Sequence, residues 1–316
     1  MLAAGVWAPS TVLLREPVRQ LQVTAHQAAV CAVLAGAPPA AFPVIGGAVR
    51  ALGAPEYGLH GPLTSTGGAA TMVIVSGPIA RALDLQGGEG LLGPGFRANA
   101  TIGRAVRLVQ SLSLAAVPQL ADRSTQGWPG KFTLCFTENL AASPWEPLNV
   151  RMGHAADVST VTVFAAASGH GVVNHGAPDA AALLFDMADT MAALGSFSPG
   201  RSVIVLAPEH AARLAGWSCH AVQRHLYAGA ARDLATLKRA GKIERGNADS
   251  DWAGAWLPNG DPTVQPGDEA VRVRRGWSPE DILLIVGGAE AGGHSMFFPS
   301  WSRGRGTPFV TRAVEI

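Results

Sequence analysis

The sequence predicts an α/β fold in which a partly parallel sheet is flanked by helices. Continuous apolar runs that end at glycine or proline predict strands covered on both faces. Three such runs span 71–76, 201–206 and 281–286; a helical pattern follows the first two and Gly287-Gly288 follows the third. Strands that alternate with helices are typical of α/β proteins, which bind ligands in the loops after strand ends.

The elements before the first of these strands are predicted from helix caps and apolar spacing. Residues 1–22 are expected to form an N-terminal arm or an edge strand. Thr24 is expected to cap a helix that runs through Ala35. Pro38-Pro39 then separates this helix from a second one that ends near Leu52. Both helices are apolar nearly all round, which predicts that they are buried.

Further strands are expected near 131–137 and 159–165, and a long helix near 179–194. Residues 240–276 are rich in Gly, Asp, Pro and Trp and have no clear period. They predict a long irregular excursion, which would be a lid, an oligomer arm or a linker. We expect residues 23–316 to form a single α/β domain, with two lobes and a boundary near 150–200 as the alternative.

Composition limits the classes of function. The net charge is +1, which gives no electrostatic reason to expect nucleic acid or an acidic membrane as a partner. Charged residues make up 15% of the chain against roughly 25% in average proteins, so we expect a homo-oligomer that covers part of this surface. No long apolar run predicts a membrane span, and no leader pattern is seen. With three scattered cysteines, these features predict a cytoplasmic protein.

A glycine-rich loop runs into a helical pattern over residues 93–104. Free backbone N–H groups at such a junction attract anions. We therefore expect a site for a carboxylate or phosphate of a small substrate, although a tight turn before a core helix would give the same pattern. No Walker A or G-x-G-x-x-G motif is present. The candidate binding residues are Gly95, Arg97, Asn99 and Arg104.

A second cluster follows the strand predicted to end at Thr137. Glu138 comes next, beside Asn139 and close to Trp145. A carboxylate at a strand end, near an aromatic side chain, suits general acid/base catalysis. The alternative is an exposed turn whose tryptophan packs on the core. We predict Glu138 as a catalytic residue and Asn139 and Trp145 as substrate-binding residues.

Histidines follow three of the predicted strands. His170 and His175 lie in a glycine-rich segment, and His210 and His294 follow later strands. If these strands are parallel, the imidazoles would meet at one edge of the sheet. They would then serve as acid/base groups or hold a divalent metal such as Zn²⁺ or Fe²⁺. The alternative is that each histidine satisfies its own loop.

The segment from Gly292 to Trp301 combines a glycine turn, a His-Ser pair and aromatic residues. This composition is typical of an apolar pocket with a few polar groups, and it adds Ser295 to the predicted substrate-binding residues. A hydrophobic tail that docks on a neighbouring subunit would look the same.

Several of these stretches resemble a bacterial family, the larger domain associated with or fused to the UGSC-motif (seleno)protein domain. The likeness covers most of residues 25–300. It implies that the polar residues of the matching stretches form one site with His170 and His175, and that a UGSC-type thiol or selenol protein is a possible partner. Trp217-Ser218-Cys219 departs from the UGSC motif itself. The matching stretches are 93–104, 130–133, 138–139, 143–148, 208–210 and 293–295.

Three classes of function remain from the sequence. The first is an enzyme that acts on a small anionic molecule by metal-assisted or His/Glu acid/base chemistry, of lyase or hydrolase type. The second is an oxidoreductase subunit that works with a separate thiol or selenol protein. The third is a non-catalytic subunit that binds a small molecule.

Overall fold

The computed structural model describes residues 1–198, 200–242, 261–301 and 309–315. These residues form two compact units, and each is described by itself. The first unit contains the described residues of Met1–Ser168, Ile285–Glu290 and Pro308–Ile316; the second contains those of Gly169–Leu284 and Ala291–Thr307. In the described part of the chain, no helix combines the length and apolar character that crossing a membrane requires.

The first unit is built on a mixed sheet with the strand order β12-β5-β3-β4, beside a separate β1–β2 hairpin. β3 is parallel to β4 and antiparallel to β5, so it is a central strand. The strands of this unit are β1 (Val12–Glu16), β2 (Leu21–Thr24), β3 (Ala70–Ser76), β4 (Cys135–Thr137), β5 (Thr160–Ala166) and β12 (Val310–Ala313). Its helices are α1 (Ala25–Leu34), α2 (Phe42–Leu52), α3 (His60–Thr64), α4 (Pro78–Ala82), α5 (Arg97–Leu108) and α6 (Leu148–Arg151).

The second unit contains a sheet with the order β10-β7-β11-β6 and a two-stranded β8–β9 ladder. β11 runs antiparallel to both β6 and β7. The strands are β6 (His170–Val173), β7 (Ser202–Leu206), β8 (Ala231–Asp233), β9 (Arg272–Arg274), β10 (Ile282–Val286, of which the residues up to Leu284 belong to this unit) and β11 (His294–Pro299). The helices are α7 (Ala180–Met191), α8 (Pro208–Arg213), α9 (Cys219–Gly229) and α10 (Leu234–Arg239).

The predicted α/β fold is confirmed. The three apolar runs form β3, β7 and β10, and helices follow the first two. Thr24 caps α1 as expected, and Gln27 completes a capping box in which each side chain bonds the other residue's backbone N–H. α2 is buried almost throughout, since only Arg50 of its residues is exposed.

Some elements differ from expectation. Of the strand predicted near 131–137, only Cys135–Thr137 is extended, because Pro129–Lys131 form a 3₁₀ turn. The predicted excursion over 240–276 is not well supported. Residues 243–260 lie outside the described residues, and the following part contains a 3₁₀ turn at Asp268–Ala270 and then strand β9. The predicted N-terminal arm contains β1, which pairs with β2.

Large apolar side chains are exposed on both units. Val33 and Leu34 near the end of α1 are each 62% exposed, and Phe185 on α7 is 75% exposed. Apolar residues are common on protein surfaces, so their exposure alone does not identify an interface. The homo-oligomer expected from the low charge content stays a prediction.

Candidate functional site

Glu138 lies directly after β4, at the carboxyl end of the parallel β3–β4 pair. Its side chain is only 1% exposed. β3 ends at Ser76 and β4 ends at Thr137, and their parallel register brings both ends to the same edge of the sheet. The first unit therefore places a buried carboxylate where α/β proteins commonly bind ligands.

The two oxygens of this carboxylate have different surroundings. Oε1 accepts a hydrogen bond from the Leu148 backbone N–H at 2.6 Å and lies 3.1 Å from the Ser76 hydroxyl. Oε2 accepts no hydrogen bond from the described residues. It lies 3.6 Å from Nη2 of Arg151, whose side chain is 14% exposed. One oxygen thus holds the carboxylate in place, while the other has no donor of its own.

Asn149 supports this arrangement from the first turn of α6. Its backbone N–H donates to the Ser76 hydroxyl at 3.3 Å, and its Oδ1 lies 3.2 Å from the same hydroxyl. Its amide nitrogen donates to the backbone oxygens of Ala155 and Val158, both at 3.0 Å. Because Ser76 has one proton, it donates to Glu138 or to Asn149 but not to both at once.

Ser76, Asn149 and Arg151 were not among the residues predicted for the site. Ser76 is the polar end of an apolar strand, and the other two follow the Ser-Pro-Trp-Glu-Pro-Leu stretch that begins at Ser143. A polar residue at the end of a buried strand was therefore a usable signal. Nothing in the local pattern indicated which side chain Asn149 or Arg151 would contact.

The predicted partners Asn139 and Trp145 have other contacts. Asn139 donates through its backbone N–H to Val286 O at 2.8 Å, and its side-chain oxygen accepts from Ala142 N–H at 3.3 Å. Trp145 is half-buried, and its backbone N–H donates to the Ser143 hydroxyl at 3.3 Å. These bonds shape the loop after β4; a role for either residue in substrate binding stays a prediction.

The loop before α5 is built differently from the expected anion site. The helix begins at Arg97 after Phe96, with no side-chain cap, and the Thr101 hydroxyl instead donates to Arg97 O. In this loop, left-handed backbone occurs at Gly90, not at Gly93 or Gly95. Neither Asn99 nor Thr101 therefore caps the helix, and Gly93 and Gly95 do not adopt the left-handed conformation that favours glycine.

The polar side chains predicted for this anion make other contacts. Asn99 is buried, and its amide bonds both the N–H and the C=O of Gln86 at 2.8 and 2.9 Å. Arg97 donates to Gly36 O, and the Arg104 guanidinium lies 4.1 Å from the centre of the Phe132 ring. Gly95 is exposed. Asn99 thus acts as a structural clamp on the preceding loop, and an anion at Gly95, Arg97 or Arg104 stays a prediction.

Three of the four predicted histidines meet in the second unit. His210 on α8 is fully buried; its Nδ1 lies 2.7 Å from the Ser295 hydroxyl and its Nε2 lies 2.8 Å from Asn174 O. The rings of His175 and His294 lie 5.0 Å apart, edge to face. Gly293 connects them, because its N–H donates to His175 Nδ1 at 3.4 Å.

The bonding partners of His210 define its tautomer. The Ser295 hydroxyl accepts the Ala207 backbone N–H at 2.9 Å, so its proton is available to His210 Nδ1. Nε2 then carries the ring proton and donates to Asn174 O. Both ring nitrogens of His210 are therefore occupied, which leaves no lone pair for a metal. Ser295 likewise has a structural role in this buried network.

His170 lies apart from the other three. It stands at the start of β6 and pairs with Phe297, whereas Val173 at the other end pairs with His294. Three residues of strand separate these positions by about 10 Å. Burial, and then the positive charge of Arg275, lower the pKa of His170 from its ordinary value of 6.5.

The structure does not bring the predicted histidines together as a set of metal ligands. Among the described residues, no three His, Cys, Asp or Glu side chains are grouped so that they could hold a metal ion. Antiparallel pairing of β11 with β6 and β7 is the reason that His170 and His294 separate. Glu138 belongs to the first unit, and all four histidines belong to the second. Catalytic roles for His170, His175 and His294 stay predictions.

Cys31 and Cys135 are buried. Burial raises the pKa of both thiols, so they are poor nucleophiles in this fold. Cys219 is the first residue of α9, which Ser218 caps by accepting from Ala221 N–H at 3.1 Å.

Comparison with family models, curated proteins and solved structures found no match to this chain. The resemblance to the domain associated with UGSC proteins therefore stays a prediction.

Proposed function

We propose that the chain is an enzyme that acts on a small anionic molecule, with Glu138 as the general acid or base. The supporting observation is the contrast between the two oxygens of this buried carboxylate. Oε1 is fixed by Leu148 N–H and lies against Ser76, while Oε2 has no hydrogen-bond donor among the described residues. A fixed carboxylate with one oxygen left to exchange a proton is what general acid/base catalysis requires.

Arg151 supports the choice of an anionic substrate. Its Nη2 lies 3.6 Å from Oε2, and its side chain is 14% exposed, whereas that of Glu138 is 1% exposed. An anion that approaches from solvent would therefore meet Arg151 first. A carboxylate bound there would bring its neighbouring carbon and oxygen atoms next to Oε2, which suits a lyase or a hydrolase that moves a proton close to a carboxylate.

The histidine cluster is not used in this mechanism. His210 has both nitrogens bonded within the protein, and the proposal relies on the first unit alone. We therefore favour acid/base chemistry by Glu138 over metal-assisted chemistry by the four histidines.

The test starts from a pool of small carboxylates and phosphorylated metabolites, whose conversion by the purified protein is followed by NMR and mass spectrometry. For any molecule that is converted, we expect Glu138→Gln to lower kcat by about 10²- to 10⁴-fold, the usual contribution of a general acid or base. Glu146→Gln is the matched control, because Glu146 is an exposed carboxylate of the same segment and should leave kcat unchanged.

Two results would contradict the proposal. A folded Glu138→Gln variant with the turnover of the wild type would show that this carboxylate has no catalytic role. A ligand that binds wild type and Glu138→Gln equally and is recovered unchanged would favour a non-catalytic binding subunit. Circular dichroism of each variant separates loss of function from loss of fold.

A further inference from the structure

A small polar cavity lies in the first unit, at the opposite end of β3 from Glu138. It has a volume of about 10 Å³, and its lining residues are Ala69, Ala70, Thr71, Gly103, Arg107, Gln110, Gly130 and Lys131. Thr71 and Ser76 are five residues apart on β3, about 17 Å along a strand. The cavity is therefore a separate feature, and its interpretation does not depend on the proposed function.

The wall of this cavity carries an excess of positive charge. Arg107 Nη2 and Lys131 Nζ both bond the same oxygen, Oδ2 of Asp122, at 2.8 and 2.6 Å. The side chains of Arg107 and Lys131 are each 12% exposed, and that of Asp122 is 4% exposed. Two cations therefore share one carboxylate, which leaves one net positive charge in a region with little water.

All the donors of Lys131 are used, whereas Arg107 keeps some that are not. Lys131 bonds both oxygens of Asp122 and the Ser124 hydroxyl, which accounts for its three N–H groups. Arg107 uses only Nη2, toward Asp122 and Ala116 O. Its Nη1 and Nε donate to no atom of the described residues. Arg107 therefore lines the cavity and keeps donors that a ligand could use.

Gln110 contributes a second polar group to the same wall. It lies one turn after Arg107 on the continuation of α5, and its Nε2 donates to the Thr71 hydroxyl at 2.6 Å. That hydroxyl also bonds the Tyr57 hydroxyl at 2.9 Å, so Gln110 is held in a fixed position. The second N–H of its amide is not used by this bond.

We propose that this cavity binds a single small monovalent anion of about the size of chloride. The net positive charge favours an anion over a neutral molecule, and the donors of Arg107 and Gln110 would coordinate it. The volume is close to the space that one water molecule needs. Chloride is somewhat larger than water and would enter with a small outward shift of the Arg107 or Gln110 side chain, whereas phosphate and larger oxyanions would need a much larger shift. The anion would neutralise the net positive charge that remains when Arg107 and Lys131 share the carboxylate of Asp122.

The first experiment measures the Tm of the full chain while chloride replaces gluconate at constant ionic strength. If chloride binds the folded protein at this site, the Tm should rise by about 2–4 °C. Arg107→Gln and Gln110→Met should each remove most of this rise. Arg104→Gln is the matched control: this arginine lies one turn earlier on α5, stacks on Phe132 and does not line the cavity, so its chloride response should equal that of the wild type.

Gln110→Met guards against a variant that fails to fold, because it leaves the Asp122 cluster intact. The second experiment is anomalous diffraction from crystals grown in bromide, which should show a peak beside Arg107 in the wild type. An equal chloride response in wild type, Arg107→Gln and Gln110→Met, or a cavity that holds only an ordered water in bromide-grown crystals, would overturn the proposal.

Discussion

Glu138 and His210 are both buried polar side chains at strand ends, but their hydrogen bonding differs. His210 has a partner for each ring nitrogen, Ser295 for Nδ1 and Asn174 O for Nε2. Glu138 has firm contacts for Oε1 only, while Oε2 accepts no hydrogen bond from the described residues. His210 completes a closed network of hydrogen bonds, whereas Glu138 keeps one buried carboxylate oxygen that accepts no hydrogen bond from the described residues.

This difference separates a structural role from a chemical one. A buried polar group with all its partners adds stability and fixes the local fold. A buried group that lacks a partner costs free energy, so a fold that retains it gives a reason to look for function there. By this reasoning the hydrogen bonds around His210 form a structural network, and the carboxylate after β4 is the group that we propose for catalysis.

The largest effect is expected where the His210 network is most crowded. In Gly293→Ala, the new Cβ would lie 2.1 Å from Asn174 O and 2.9 Å from His210 Nε2. Neither atom can withdraw, because Gly293 O also accepts the Asn174 backbone N–H at 2.9 Å. We expect a loss of about 3 kcal/mol in the free energy of unfolding, measured by urea denaturation.

Gly171→Ala is the control for this substitution. Gly171 lies on β6 in the same sheet, and an added Cβ there would meet no described atom within 4 Å. Its free energy of unfolding should stay within about 0.5 kcal/mol of the wild type. Equal free energies of unfolding for the two variants would show that the residues around His210 can move to accept the added Cβ. The contrast between His210 and Glu138 would then be weaker.

Asp122 is a buried carboxylate, like Glu138, but both of its oxygens accept hydrogen bonds. Burial raises the pKa of Asp122, but hydrogen bonds from Lys131 and Ser124 outweigh it and lower the pKa from 3.8 to about 2. A lowered pKa in the folded state contributes stability that is complete above the unfolded pKa and is lost as the pH falls through the folded pKa. We therefore expect about 2 kcal/mol of stability to disappear between about pH 4 and pH 2.

The measurement is urea denaturation at several pH values in this window, for wild type and for Asp122→Asn. Since other acidic groups also titrate there, the quantity of interest is the difference between the two proteins. The variant should start from lower stability and lose about 2 kcal/mol less on acidification. Parallel curves for the two proteins would mean that Asp122 is not held as its hydrogen bonds indicate.

Local patterns were sufficient to predict most of the fold. Apolar runs marked β3, β7 and β10, and Thr24 was recognised as the cap of α1 from its position before a helical pattern. The failure near 131–137 has a local cause, because Pro129 and Gly130 favour a 3₁₀ turn over a strand. Strand direction was less accessible, since antiparallel β11 depends on partners over a hundred residues away.

For the candidate site, the sequence pointed only to a residue whose position in the chain was itself informative. Glu138 was proposed because it follows a predicted strand. Arg151 was not, since its contact with Glu138 depends on the fold of the intervening loop. The glycine-rich stretch before α5 showed where the chain turns and not what its side chains contact. Arg97 and Arg104 bind Gly36 and Phe132, while Arg107, one turn further along the helix, lines a cavity.

The smallest expected effect concerns the stability of Glu138→Gln. The remaining amide oxygen can still accept from Leu148 N–H, and the new NH₂ replaces an oxygen with no hydrogen bond to lose. The ion pair with Arg151 is lost, but its 3.6 Å separation is longer than a hydrogen bond, and Arg151 Nε also donates to Glu146 O. We expect a change of at most about 1 kcal/mol in the urea-derived free energy of unfolding. Breaking a closed buried ion pair is expected to cost about 3 kcal/mol or more. A loss of that size in Glu138→Gln would mean that Glu138 is a structural group like Asp122 and His210. It would remove the basis for the proposed catalytic role.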